Sequence, residues 1–415
     1  MSAGRTRRVA VFFHSLGPYH FSRLRAAGKL LTTTAIEVSA VDDVYAWNMV
    51  PGEDGFKRIT VFTGDDARKH PAGEVMRRVR NVLDELRPEV VAIPGWSEKE
   101  ALAALRWCAE TRTPSVLMSD STAWDDKRVA WKEWVKRSVV ALCGAGLVAG
   151  APQLDYLAGL GMDRDRIFVG YDTVDNEYFE ARAQEVRERK PHFASEHGLP
   201  ECYFLTTARF VKKKNLLRLI QAYERYRRLA GAGQSGQRSA DDRPWDLVLM
   251  GDGPLKLELC QLIAGLGLEG SVHLTGFRQY EDIPAYYGLA SAFILASTTD
   301  QWGLVVNEAM ASGLPVLVSD RCGCARDLVH DGVNGLKFDP YNEEQIAQSM
   351  FRMASSATGG RTLEEMGKSS QEIIKAWGPE RFAQGLHSAV ESALKHPRPR
   401  LELFDRFLLG ALIYR

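Results

Sequence analysis

Residues 297–340 read STTDQWGLVVNEAMASGLPVLVSDRCGCARDLVHDGVNGLKFDP, directly behind the apolar run Phe293–Ala296. From about Gly303 to Ala311 the pattern is helical, Gly313-Leu314-Pro315 stops it, and Val316–Val318 opens the next apolar run. Short, near-continuous apolar runs separated by helices mark a parallel sheet covered on both faces. The helix then begins where the preceding strand ends. Backbone N–H groups around Gly303, Leu304 and Val305 therefore face any ligand at that edge and favour phosphate. Glu308 lies on the second turn and leans back toward the helix start, while Asp300 sits in the loop before it. Two carboxylates can thus flank one anionic ligand, and a carboxylate is a two-point acceptor for the vicinal hydroxyls of a ribose or hexose. The same residues also suit a plainer task, charge complement to a helix start, worth about 0.3–1 kcal/mol each.

The alternation extends through the chain. Tyr203–Thr206, Leu247–Met250 and Val272–Leu274 precede the quoted stretch, and an earlier series holds Val9–Phe13, Glu37–Val41, Ile59–Phe62, Val90–Ile93, Val116–Met118 and Leu147–Val148. Two α/β domains in tandem are expected, with ligand bound at the carboxyl ends of the strands. A length of 415 residues agrees, since a single core stops growing at roughly 250–300 residues. The seam is expected between Phe179 and Pro200, where Glu180–Lys190 is heavily charged, giving domains 1–185 and 186–395 and a tail 396–415. Residues 230–243, AGAGQSGQRSADDR, read as a mobile surface loop. Charge is balanced, 53 Lys and Arg against 53 Asp and Glu, so a chain-wide basic footprint for nucleic acid is absent. The six cysteines are scattered, and Cys322 and Cys324 lack zinc-site spacing, so a reducing cytoplasm is the expected compartment. The basic start is followed by only five apolar residues, Val9–Phe13, which fits neither a signal peptide nor a span. Membrane contact is expected to be peripheral at most.

Asp300 and Glu308, separated by seven positions and followed by Ala309-Met310-Ala311 and Gly313-Leu314-Pro315-Val316, resemble the signature of the retaining group one, or family four, glycosyltransferases of nucleotide sugars. The resemblance implies the GT-B fold: α/β, two Rossmann-like domains with parallel sheets facing a central cleft. Asp300 stands where Glu is usual, one methylene shorter. Upstream, Thr207-Ala-Arg209-Phe-Val-Lys-Lys-Lys214-Asn-Leu is similar to the family's Arg…Lys segment, which implies that Arg209 and Lys214 hold the nucleotide diphosphate. A guanidinium fork and an ammonium suit negative charge that grows as the sugar–phosphate bond breaks. Lys212 and Lys213 read as a solvated basic run. Gly251-Asp-Gly-Pro254 and Val272-His-Leu-Thr-Gly276-Phe277 resemble strand-end turns of the family, the second implying Gly276 and Phe277 beside the base. Either is also what a tight connection requires, and His273 reads as a packed strand residue.

In the first domain, Phe13–His20 follows the first strand, with Gly17 where the family commonly has a Gly-Gly pair. The resemblance puts Gly17 on the donor; His14 and His20 are acceptor-side candidates or, alternatively, structural residues of a strand edge. Ser119-Asp120-Ser121-Thr122 occupies the place of a His found in many relatives, so Asp120 either orients a substrate or caps a helix. Asp163-Arg-Asp165 lies in a turn rather than after a strand, and no metal or cofactor is called for. The expected function is metal-independent transfer of a hexosyl unit, with retention, from a nucleotide sugar to an unidentified acceptor hydroxyl; UDP follows from family frequency. The alternatives are a sugar-nucleotide epimerase of the same fold and a catalytically weak nucleotide-sugar-binding protein. Residues 127–137, KRVAWKEWVKR, read as a surface helix that buries Trp131 and Trp134, with an interfacial membrane helix as the alternative. The apolar stripe of the tail is expected to pack across the first domain.

Overall fold

The computed structural model describes residues 6–41, 55–232, 243–355, 360–396 and 402–414; most of the expected loop, residues 233–242, lies outside them. The chain divides into two compact units, Met1–Val174 with Trp377–Arg415, and Asp175–Ala376.

The first unit is built on β1 (Arg8–Phe13), β2 (Thr32–Ser39), β3 (Lys57–Phe62), β4 (Val90–Pro94), β5 (Ser115–Ser119), β6 (Ala145–Val148) and β7 (Ile167–Val169). They form one sheet in the order β3-β2-β1-β4-β5-β6-β7, every pairing parallel. Side chains alternate between faces. Val9, Val11, Ala92, Val116 and Leu147 join one core, and Ala10, Phe12, Val91, Ile93 and Leu117 join the other, where the helices Ala72–Leu86 and Lys99–Thr111 pack. That double burial is why the runs read as continuously apolar.

The helix Pro379–Lys395 closes the first of these cores with Phe382, Leu386, Ala389, Val390 and Ala393, an i, i+4, i+7, i+8, i+11 stripe. It approaches so closely that a Cβ on Gly385 would meet the Val169 carbonyl at 2.7 Å. The helix Leu403–Ile413 follows, with Leu408, Leu409 and Ile413 buried beside the helix Lys99–Thr111. Residues 377–395 thus belong to the first unit, not to a second domain ending at 395. The boundary at 185/186 falls inside the helix Asn176–Glu188, whose charges are its solvent side and whose Phe179, Ala183 and Val186 are buried. A charged run there is a helix face rather than a linker. The burial expected for Trp131 and Trp134 is also overturned. On the helix Ala130–Val140 the buried positions are Val139 and Val140, and the two indoles are 63% and 52% exposed.

The second unit holds β8 (Tyr203–Thr207), β9 (Asp246–Met250), β10 (Val272–Gly276), β11 (Ala292–Leu295), β12 (Val316–Ser319) and β13 (Gly335–Phe338). Their order is β10-β9-β8-β11-β12-β13, again parallel throughout. Strand order reverses between β8 and β11. In doubly wound sheets the ligand crevice opens at such a switch point, outside the carboxyl ends of the two strands.

Candidate active site

The loops leaving β8 and β11 converge at that point. The first runs through Arg209 and the turn Lys212–Lys214 to Asn215, which adopts the left-handed conformation at φ 59°. Asn tolerates this because its short side chain bonds locally. Here the Asn215 amide donates to the carbonyls of Ala296 (3.0 Å) and Pro340 (2.8 Å), tying the loop to the exits of β11 and β13. Thr298 N–H donates to the Lys213 carbonyl at 2.9 Å, a second tie between the loops.

So fixed, Lys214 places its ammonium on the Asp300 carboxylate, both side chains largely buried. The Ser297 hydroxyl donates to the same Asp300 oxygen at 3.3 Å. The Asp300 backbone is clamped too: its N–H donates to Arg321 O (3.3 Å) and its carbonyl accepts from Gly323 N–H (3.0 Å). Four residues on, the helix Leu304–Ala311 starts behind Gly303, which sits at φ 102° and offers no side-chain cap. The N–H dipoles of its first turn add positive potential at the edge that carries Lys214.

Glu308 is 1% exposed on this helix, and the Tyr287 hydroxyl donates to its Oε2 at 2.7 Å. Burial, then the Glu308 charge, pushes the Tyr287 hydroxyl far above its ordinary range, so it stays a neutral donor. Burial, then Asp300, likewise raises the thiols of Cys322 and Cys324, which keeps them protonated and unsuited as nucleophiles. Tyr287 belongs to no motif recognised in the sequence, and Asn215 stands in the segment read around Arg209 and Lys214 without a role assigned to it. Their chief signal is position, a Tyr before β11 and an Asn directly after Lys214.

Arg209 is exposed at the exit of β8. Gly276 ends β10 at φ 77° and Phe277 follows, 44% exposed. Backbone bonds lace these exits: Gly251 N–H donates to Gly276 O (3.0 Å) and Phe210 N–H to Asp252 O (2.8 Å). Lys214, Asp300 and the helix start are therefore one constellation, with Gly276 and Phe277 two strands away on the same edge. His273 Nε2 lies 2.8 Å from Asp246 Oδ2 on the neighbouring strand, within hydrogen-bonding distance.

In the first unit the loop after β1 is held by carboxylates. His14 Nδ1 lies 2.8 Å from Glu100 Oε1, and its Nε2 lies 3.3 Å from Asp66 Oδ1, too poorly aligned to count as a hydrogen bond. Burial opposes charge on His14, but the Glu100 hydrogen bond and charge, helped by Asp66 against Arg68, raise its pKa above 6.5. The ring is engaged on both sides by protein. Gly17 N–H donates to His20 Nδ1 at 3.0 Å, so His20 accepts at the start of the helix Pro18–Gly28. Both histidines thus have structural partners in place. Asp120 follows β5 and adds negative charge near the buried Tyr171 hydroxyl. Asp163 pairs with Arg166 before β7, at the opposite edge of the sheet.

The family described as "Glycosyl transferases group 1" matches residues 188–372, inside the second unit. Among curated proteins, the alpha-D-kanosaminyltransferase of Streptomyces kanamyceticus is 29% identical over 175 residues, 42% of this chain and 40% of that protein. The alpha-monoglucosyldiacylglycerol synthase of Acholeplasma laidlawii is 30% identical over 181 residues, 43% of this chain and 41% of that one. The match thus spans about two fifths of the length of these relatives. Among solved structures, a glycosyltransferase of Rickettsia africae superposes with TM-score 0.69 at 14% identity, covering 94% of this chain and 99% of that one. Anabaena HepE in complex with UDP gives 0.67 at 17%, covering 93% and 100%. At such identities the likeness speaks for fold alone, and that fold is GT-B.

Proposed function

We propose, from the match of residues 188–372 to the group 1 glycosyl transferases, that the chain transfers a hexosyl unit from a nucleoside diphosphate sugar to an acceptor hydroxyl, with retention and without a metal ion. The observation that carries the reading is the meeting of Lys214, Asp300 and an uncapped helix start at the β8–β11 switch point. A pyrophosphate laid along this edge is met by Arg209, Lys214 and the N–H groups of Gly303, Leu304 and Val305. Asp300 and Glu308 accept from the sugar hydroxyls. As the anomeric carbon–phosphate oxygen bond breaks, the departing diphosphate gains charge that the cations and helix dipole stabilise. The acceptor oxygen bonds the same face of that carbon, and its proton passes to the departing phosphate oxygen, so no separate base is required. Gly276 and Phe277 take the base. UDP is the nucleotide of choice because the HepE structures hold UDP, one of them UDP with glucose. Metal independence is part of this reading because Arg209, Lys214 and the helix start bring to the leaving diphosphate the positive charge that a metal ion would otherwise supply. Gly17, Asp120, His14 and His20 remain the first-unit contributors, with His14 and His20 acting through the shape of the β1 loop. Action in the reducing cytoplasm accords with six cysteines that form no disulfide among the described residues.

The test is release of free nucleoside diphosphate from UDP-, GDP-, ADP- and dTDP-sugars with an acceptor panel. Acceptor-dependent release of one nucleotide is expected. Interconversion of donor sugars without acceptor identifies an epimerase, and binding without turnover a carrier. A thermal-shift screen picks the donor first, because ligand at 100 times its Kd adds about 2.7 kcal/mol to the folded state.

A further inference from the structure

The helix Leu403–Ile413 is apolar on two faces. Leu409 and Ile413 enter the core of the first unit and Leu408 is buried, whereas Leu403, Phe404 and Phe407 on the other side are 86%, 46% and 76% exposed. Trp134 of the helix Ala130–Val140 extends this face, its ring 5.5 Å from that of Phe404, and Trp131 is exposed beside it. A surface helix ordinarily turns polar residues outward, and a contiguous apolar patch of this kind marks a partner.

Charge identifies the partner. The segment 127–137 carries five cations and one acid. That acid, Glu133, is turned inward, accepting from the Tyr156 hydroxyl at 2.9 Å and from Lys136 at 3.0 Å. Lys127, Lys132 and Arg137 are left on the exposed rim. On the tail helix, Asp405 is spent at the N-terminus, where it accepts the Glu402 N–H at 3.0 Å. A second copy of the chain related by a two-fold axis would set this cationic rim against itself. Trp and Phe with Lys and Arg at their margin match instead the headgroup and acyl boundary of a negatively charged leaflet. We infer that this face of the first unit docks on an anionic lipid bilayer, as a surface contact rather than a span. Among the described residues no helix is long and apolar enough to cross a membrane.

The full chain is sedimented with vesicles of phosphatidylcholine alone and with phosphatidylglycerol added. Binding to the second kind only, weakening with salt over the range where the Debye length shrinks, is expected. Phe404→Ser with Phe407→Ser lowers vesicle affinity at least about tenfold, as loss of two buried rings requires. Lys132→Glu with Arg137→Glu does the same while leaving the apolar face whole, so the idea stays testable should the first pair unfold. Both variants keep the UDP thermal shift of the parent, which separates this surface from the donor site. Equal binding to both vesicle kinds, no binding at low salt, or a dimer in solution that Phe407→Ser dissociates overturns it.

Discussion

Lys214 and Asp300 are a pair with two tasks, and the tasks separate by mutation. Lys214→Ala removes a cation from the leaving-group side, which costs turnover about 10²–10³-fold on the scale of a lost oxyanion donor. It also strips the Asp300 carboxylate, its side chain only 12% exposed, of its cation while the Ser297 hydroxyl still donates to it, at about 1–3 kcal/mol. Adding Asp300→Asn neutralises the orphaned charge, so the double variant regains stability in urea melts but not turnover. Recovery of both would make the pair merely structural. His14 gives a second residue-scale expectation. Its pKa is raised in the fold, so its ion pair stabilises below pH 6.5 and that contribution is lost as pH climbs through the raised value. Glu100→Gln removes the partner 2.8 Å from Nδ1, lowers the His14 titration midpoint followed by NMR, and costs more stability at acid than at alkaline pH. An unmoved midpoint would assign the shift elsewhere.

At the scale of elements, the exits of β8 and β9 are in contact through a glycine. Gly251 lies at φ 143°, and a Cβ there would stand 1.9 Å from the Ala208 carbonyl, one residue before Arg209. Gly251→Ala must therefore displace the loop that presents Arg209 and Lys214. It is expected to lose at least about 2 kcal/mol and to raise the KM for donor, whereas Gly265→Ala, with open space at the end of the helix Lys256–Gly265, is neutral or slightly stabilising. Equal effects would show the contact to be slack. Most of the strands that the sequence announces are buried on both faces, β1, β4, β5, β8, β9 and β11 among them, whereas β3 and β10 are announced although half-exposed. β7 has only three residues, the run of β13, Gly335-Leu-Lys-Phe338, is broken by Lys337, and β2 starts with Thr32-Thr33-Thr34, buried at the second and third positions without being apolar. The site was legible where its residues lie close in sequence, as Asp300 and Glu308 do. Tyr287 and Glu100 were not, because each meets its partner across a loop or a sheet, 21 and 86 residues away.

At the scale of the molecule, chain order and folding unit part company. The second unit is continuous, Asp175–Ala376, with its own sheet and core, but the first takes Trp377–Arg415 back from the far end of the chain. Without the helix Pro379–Lys395, the β1, β4, β5 and β6 face that carries Val11, Ala92, Val116 and Leu147 is stripped of Phe382, Leu386, Ala389 and Val390. Exposing such a face forfeits about 1.5–3 kcal/mol per large side chain, several times over, against a domain stability of about 5–15 kcal/mol. A chain ending at Ala376 should consequently show a first unit open to protease and a second unit that still melts cooperatively. Residues 175–376 alone should fold and give a UDP-dependent thermal shift, weaker than the whole protein's, since the residues assigned to pyrophosphate and base all lie within them. Adding residues 377–415 to 1–174 as a separate peptide should restore protection to the first unit. Limited proteolysis with mass spectrometry reads the protection of the first unit, and thermal melting with and without UDP reads the second. Protection of 1–174 without the returning helix would mean that the sheet is covered by something other than the stripe at 382, 386, 389 and 390.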